Sequence, residues 1–315
     1  MNGIKICGAG HAVPRSIVTN DDLARRMDTS DEWIVTRTGI RRRHHCTDET
    51  QTGLCIEAAR TALARSGAQP EDIGVCLVAT MSPERMMPAT ACMVQGALGR
   101  PTDTLCFDLN AACSGFVFAL HTAECLLAAS GRKKGLVIGG EALSRMVNWA
   151  DRGSCILFGD GAGAVVIESR REWPSIGAVV GCEGNDALLR ADGPGSGRPP
   201  LIAMEGQRVF RFAVETVSAC ITQVLEKHGA AMAEVDWFVL HQANARIIDL
   251  VRRRHGIPEK KLYVNVDEYS NTSAASIPMA LSEMQQKGLI RPGQRALIVG
   301  FGGGLTWGGA LVEFA

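Results

Sequence analysis

The stretch LCIEAARTALARSGAQPEDIGVCLVAT runs from Leu54 to Thr80, and FAVETVSACITQVLEKHGAAMAEVDWFVLHQ from Phe212 to Gln242. Each reads as an amphipathic helix, a turn and then a buried apolar strand. The order continues in parallel. A second helix follows each, then a short strand, LCFDLN from Leu105 and YVNVD from Tyr263. A small-residue turn and another helix come next, in AACSGFVFALHTAECLLAASG and NTSAASIPMALSEMQQKG. Each series closes on an apolar strand ending in glycine, GLVIGG and ALIVGFGGG. Matching elements lie half a chain apart, which predicts two copies of one βαβ-type module, residues 1–170 and 171–315, packed round a shared core. The fold class is α/β.

Composition agrees with such layers. The chain has 315 residues, 46% hydrophobic but only 5% aromatic, with 35 glycines. Small residues at this density suit closely packed helices and sheets and exclude a disordered chain. Lys+Arg and Asp+Glu are both 33, so the formal charge is zero, which argues against general nucleic-acid or anionic-membrane binding. The start, MNGIKICGAGHAVP, lacks a charged segment followed by a long apolar one, and no apolar run approaches the roughly 20 residues of a spanning helix. The expectation is a soluble, cytoplasmic protein. Eleven cysteines are scattered without a C-x-x-C pair or a zinc-like Cys/His spacing. They predict neither a disulfide framework nor a metal site, and nearly all read as buried packing residues. The glycines of FGDGAGAVV, from Phe158, lead into an apolar strand and not a helix, so a hairpin turn fits better than a dinucleotide fingerprint.

Three polar residues stand out. Cys113 follows a strand and opens a small-residue helix, where the helix dipole and unpaired N–H groups favour a reactive thiolate. A structural helix-start cysteine would look the same from this position alone. His241, in FVLHQAN, directly follows a buried strand, where α/β folds place their sites; a satisfied core histidine is the plainer alternative, and His11 is the one rival. Asn271 heads the helix NTSAASIPMAL, at what the repeat makes the counterpart of Cys113, although asparagine is also a good helix cap. Converging in the seam between halves, the three suggest a cysteine hydrolase or a water-excluding acyl-transfer enzyme. GFGGGLTWGG, from Gly300, supplies backbone N–H groups for an oxyanion hole or forms a tight turn.

Taken together these motifs resemble the β-ketoacyl-acyl-carrier-protein synthase III family, the initiating condensing enzymes of type II fatty acid synthesis in the thiolase superfamily. The matching stretches are DEWIVTRTGIRRRH from Asp31, AACSGF around Cys113, DRGSCILFGDGAGA from Asp151, HQANARII from His241, NTSAASIP from Asn271 and GFGGGLTWG from Gly300, in family order over nearly the whole chain. The resemblance implies a thiolase-like five-layered αβαβα fold from two duplicated halves, usually a homodimer. It implies an acyltransferase whose Cys113 takes an acyl group from acyl-CoA, while His241 and Asn271 stabilise the enolate left when malonyl-acyl-carrier protein loses CO2. The backbone N–H groups of Cys113 and Gly303 would hold the acyl oxyanion. Trp33 and Arg37 would bracket the CoA adenine, Arg152 would also contact CoA, and Ala243 and Asn244 would line the pantetheine tunnel. Acyl-CoA and acyl carrier protein are then substrates, and no resident cofactor is implied.

Two residue sets concern specificity. Met87 stands where many relatives have a Phe that reaches across the dimer to the partner's acyl pocket, and a flexible thioether predicts acceptance of chains longer or bulkier than acetyl. Arg246, with Arg252, Arg253 and Arg254, is the candidate basic surface for the acidic carrier protein, although a solvated helix face would read alike. The alternatives to fatty acid initiation are a same-fold starter-unit ketosynthase or acyltransferase of a secondary-metabolite pathway, a non-catalytic subunit of a condensing complex, and a cysteine hydrolase.

Overall fold

The computed structural model describes residues 2–99 and 101–315. Its first sheet is built from β1 (Gly3–Ala12), β2 (Ile73–Ala79), β3 (Leu105–Leu109), β4 (Lys134–Ala142) and β5 (Asp160–Arg170), in spatial order β1-β5-β4-β2-β3. β2 runs parallel to β3 and β4, while β5 is antiparallel to β4 and β1. The second sheet holds β6 (Val179–Asn185), β7 (Trp237–Leu240), β8 (Arg295–Gly302) and β9 (Gly304–Glu313), in order β7-β8-β9-β6. It repeats the parallel and antiparallel pairings of the first sheet as far as β7. YVNVD departs from the expected strand. Its neighbour Leu262 makes a single parallel bridge to Phe238, and the chain then turns into a short helix, Val266–Tyr269.

The named helices are α1 (Asp31–Thr38), α2 (Gln51–Ser66), α3 (Thr90–Ala97), α4 (Gly115–Ser130), α5 (Gly206–His228), α6 (Ala245–His255) and α7 (Ser276–Gln286). Their ends follow local chemistry. Ser30, Thr50 and Asn244 accept a backbone N–H at the heads of α1, α2 and α6. Left-handed glycines, such as Gly67 and Gly131, close the other ends.

Three apolar clusters give the layers. One joins α2 and α3 to the outer face of the first sheet, through residues such as Ala58, Ala62, Val94, Val78 and Ile138. A second joins α5 and α6 to the outer face of the second, through Val217, Ile221, Val251 and Leu297. Between the sheets lie α4 and α7, packed on both inner faces through Phe116, Leu120, Ile277 and Leu281. The result is helix, sheet, helix, sheet, helix, as the resemblance implies. The stretch Ala112–Ser130 is long and apolar enough to cross a membrane, contrary to the sequence reading. Here it is α4 with its leading turn, and its apolar all-round surface is what a helix covered by two sheets requires.

Glycine makes this central layer possible. A Cβ on Gly139 of β4 would lie 2.1 Å from the Ala274 carbonyl oxygen, and one on Gly163 of β5 would lie 2.4 Å from the Met279 nitrogen. Gly161 and Gly163 of FGDGAGAVV therefore sit inside β5, not in a hairpin turn, because α7 presses onto that strand, while Gly159 just precedes it. The cysteines are less uniformly buried than expected. Cys92 and Cys182 are exposed and four others are half-buried. Gly139→Ala should destabilise the fold by about 2 kcal/mol or more. Gly96→Ala, on α3 with open space where its Cβ would go, should leave stability unchanged or raised. Thermal denaturation of the two variants reads the contrast.

Candidate active site

Two turns of the same conformation meet at the heads of the central helices. After β3, the Asn110 Oδ1 accepts the Ala112 N–H at 3.0 Å, Ala112 takes φ +46°, and Cys113 and Ser114 lead into α4. Before α7, the Asn271 Oδ1 accepts the Ser273 N–H at 2.8 Å, Ser273 takes φ +50°, and Ala274 and Ala275 lead into the helix. In each, the first helical residue donates its N–H back to the left-handed residue, Gly115 to Ala112 and Ser276 to Ser273. This corrects the register of the repeat. Asn271 matches Asn110, and the counterpart of Cys113 is Ala274. Motif order placed the turns correctly, but only the backbone shows which residues superpose.

Cys113 is 8% exposed and lines a cavity of about 800 Å³ with Ser273, Phe158, Gly303, Gly304 and Thr306. β8 packs directly on its turn: a Cβ on Gly302 would fall 2.6 Å from the Cys113 nitrogen. The expected thiolate is not favoured at rest. Burial pushes the thiol up to about 12, against smaller opposing hydrogen bonds from Ser273 and its own backbone. Cys113 also precedes the regular helix, whose first residue is Gly115, and desolvation of the charge outweighs the dipole there.

His241 follows β7 and is fully buried, its ring edge-on to Phe301 at 5.3 Å. Its Nδ1 lies 2.6 Å from the Ser276 Oγ, which also accepts the Gln242 N–H at 3.4 Å. With the serine hydroxyl donating to Nδ1, Nε2 carries the ring proton and is the donor the ring presents. Burial lowers the imidazole to about 3, so it stays neutral. Asn271 is pinned by its own N–H to Leu157 O and by Gly159 N–H to its carbonyl. With Oδ1 engaged in the turn, the Nδ2 donor has no protein partner among the described residues. The Ser273–Ser276 segment thus ties the three together: it walls the cavity beside Cys113, is braced by Asn271 and orients His241. The rival His11 instead bonds Ser282 on α7.

The other expected residues fall elsewhere. Arg37 and Arg152 both stack on Trp33, at 4.3 and 5.0 Å from its ring centre. Asn244 joins this group by donating to Arg37 O at 3.0 Å while its Oδ1 caps α6. Ala243 donates its N–H to His241 O. None of these five borders the Cys113 cavity. Met87 is 85% exposed and also lies off the cavity, whereas its neighbour Met86 borders it. Arg246 lies over the Phe210 ring, Arg252 and Arg253 both pair with Asp249, and Arg254 forms no ion pair among the described residues. Ser273, Ser276 and Glu141 were not singled out from the sequence. The available signal for Glu141 was one acid inside the otherwise apolar run GLVIGGEAL.

Residues 107–184 match the model described as 3-oxoacyl-[acyl-carrier-protein] synthase III, and residues 225–314 match its C-terminal counterpart. A Streptococcus suis protein named β-ketoacyl-[acyl-carrier-protein] synthase III is 45% identical, covering 99% of each chain. The chain belongs to the 3-oxoacyl-[acyl-carrier-protein] synthase III family. Among solved members, the crystal structure of the Aquifex aeolicus synthase superposes with a TM-score of 0.93 at 42% identity, over 99% of this chain and 100% of that one. The priming β-ketosynthase of the R1128 polyketide biosynthetic pathway superposes at 0.92 with 34% identity, over 99% and 96%. The family and its thiolase-type fold are those expected from the motifs.

With its pKa near 3, His241 should show flat ring chemical shifts from pH 8 down to about pH 4 in NMR of histidine-labelled protein. A transition near the usual value of about 6.5 would contradict the neutral-donor assignment. Unfolding frees the ring to bind a proton below about pH 6.5, so this contribution to stability is whole above that pH and is lost as pH falls toward 3.

Proposed function

We propose that this protein catalyses decarboxylative condensation of an acyl-CoA starter with malonyl-acyl-carrier protein, giving a β-ketoacyl-acyl-carrier protein. The observation that carries the reading is Cys113 at the cavity wall with Ser273 of the neighbouring turn, a turn that Asn271 braces and whose following Ser276 holds His241. The Cys113 Sγ attacks the acyl-CoA carbonyl, the N–H groups of Cys113 and Gly303 receive the oxyanion, and CoA leaves. Malonyl-acyl-carrier protein then presents its thioester oxygen to His241 Nε2–H and Asn271 Nδ2–H. Loss of CO2 builds negative charge on that oxygen, where two pre-aimed donors lower the barrier. The enolate carbon attacks the acyl-Cys113 carbonyl and the thiol is released. A charged imidazole is not needed, since decarboxylation itself generates the carbanion.

The Trp33, Arg37 and Arg152 stack is read as the CoA adenine platform, with Ala243 and Asn244 on the path from it to His241. Arg246 and Arg254 are the residues best placed to meet an acidic carrier protein, because Arg253 is already paired. The cavity walls Met81, Met86, Leu143, Met146, Leu189 and Ile202 are apolar and suit an acyl chain longer than acetyl. That preference, together with the likeness to a polyketide priming ketosynthase, supports a starter-unit role outside primary fatty acid synthesis as the second reading.

Incubation with acetyl-, butyryl-, isobutyryl- and octanoyl-CoA followed by intact-protein mass spectrometry tests both readings. Cys113→Ala should lose all acylation, and strict acetyl preference would remove the wide-pocket reading. His241→Ala and Asn271→Ala should retain acylation but slow condensation by about 100-fold or more. Equal loss of both steps would contradict their enolate role.

A homodimer is part of the same proposal. β3 is a sheet edge whose Leu105 and Phe107 are 40% and 39% exposed, close in sequence to exposed Met86, Met87 and Met93. An unpaired edge with such apolar side chains is unusual on a monomer. Sedimentation should give a dimer that Phe107→Asp converts to monomer.

A further inference from the structure

The inference rests on Cys113 being the acyl-accepting thiol, and it concerns where that thiol's proton goes. His241, the obvious acceptor, does not take it readily. The thiol is held near 12 and His241 near 3, so the histidine is a poor base at neutral pH. Another acid stands close behind the cavity wall.

Glu141 lies on β4 and is fully buried. It is two residues from Gly139, whose missing Cβ faces Ala274 at the Ser273–Ala275 turn, so the Glu141 side chain leaves the strand on that same face. Its carboxylate accepts from Thr80 Oγ1, Ser82 Oγ and the Met81 N–H. Met81, Ser82 and Ser273 all border the cavity that Cys113 lines. Ser273 Oγ is buried without a hydrogen-bond partner among the described residues, on the turn that packs against β4 at Gly139 and that walls the cavity with Cys113. A buried hydroxyl without a partner on this shared wall is free to turn toward the thiol or the carboxylate, and catalytic contacts of this kind commonly tighten on substrate binding.

We propose that Ser273 relays the Cys113 proton to Glu141 during acylation. Sγ–H gives its proton to Ser273 Oγ, whose own proton passes to the Glu141 carboxylate. The Sγ lone pair forms the bond to the acyl carbonyl carbon, the carbon–sulfur bond to CoA breaks, and the proton returns through Ser273 to the departing CoA thiolate. No oxidant, reductant or further reactant enters. Ser273 touches the reacting thiol, and Glu141 acts through it as a positioning residue that also stores the proton.

Burial raises the Glu141 carboxyl to about 7, against the hydrogen bonds that lower it, so it titrates where a base working at neutral pH should. The other titratable groups in the region are Cys113, Cys55 on α2, Glu84 and Asp108; among the described residues no Lys, Arg or His pairs with Glu141. Asp160 on the adjoining β5 is turned away to Cys46 and Ser144.

The test is the rate of Cys113 acylation by butyryl-CoA from pH 5.5 to 9, followed by quenched-flow mass spectrometry. Wild type should rise through an apparent pKa near 7 and level off. Glu141→Gln and Ser273→Ala should each lose that limb and acylate about 100-fold more slowly at pH 7.5, with rates climbing steadily with pH as the thiol itself ionises. Ser273→Thr keeps the hydroxyl and should restore the limb. Folding is checked by thermal denaturation. A Glu141→Gln variant with the wild-type pH profile overturns the relay. Absence of acylation on Cys113 in wild type would instead overturn the reading on which it rests.

Discussion

Everything in the site hangs on two left-handed turns clamped by asparagine side chains. An L-residue other than glycine held at φ near +50° costs about 1–2 kcal/mol, and each turn holds one, Ala112 in the first and Ser273 in the second, with Ser270 also at positive φ just before Asn271. Asn110 and Asn271 offset the strain by accepting the N–H that each turn would otherwise leave unpaired. The gain is directional. Each turn delivers its chain into a buried helix with the first residues facing the seam, one turn carrying the thiol and the other bracing its surroundings.

Burial is the second constraint, and it sets protonation. A reactive thiolate paired with an imidazolium forms only where the surroundings stabilise both charges. Here both are stripped of water and both are neutral, thiol up and imidazole down. A site of neutral donors suits chemistry that develops negative charge on a substrate oxygen, because nothing must be discharged before the substrate enters. It equally leaves thiol deprotonation to be solved by some other group, which gives the buried carboxylate behind Ser273 its interest.

Much of the layer pattern was legible because helices and strands of this fold are buried on predictable faces. The paired stretches from Leu54 and Phe212 carry their periodicity openly, and both form the helix and strand read from them. YVNVD failed as a strand because one bridge to Phe238 is all the sheet edge offers it. The glycines of FGDGAGAVV misled because glycine marks a turn or a close approach with equal force, and only the position of α7 decides between them. Cys113 and His241 were visible from their placement at element ends. The repeat register was not, since Asn271 and Cys113 are both polar heads of small-residue helices and only φ angles separate their positions. Ser276 and Glu141 were hidden because their importance lies in what they face across the fold.

The glycine contacts of the central layer have a further consequence. Where backbone touches backbone, as β4 and β5 touch the segment around α7 at Gly139 and Gly163, there is no side chain left to trim or enlarge. The bed beneath the Ser273 turn is therefore closed to tinkering by point mutation. Divergence in substrate choice within this architecture is channelled to the outer wall, where Met81, Met86, Met146 and the Asn185–Pro200 loop can vary in length and shape without disturbing the reacting groups.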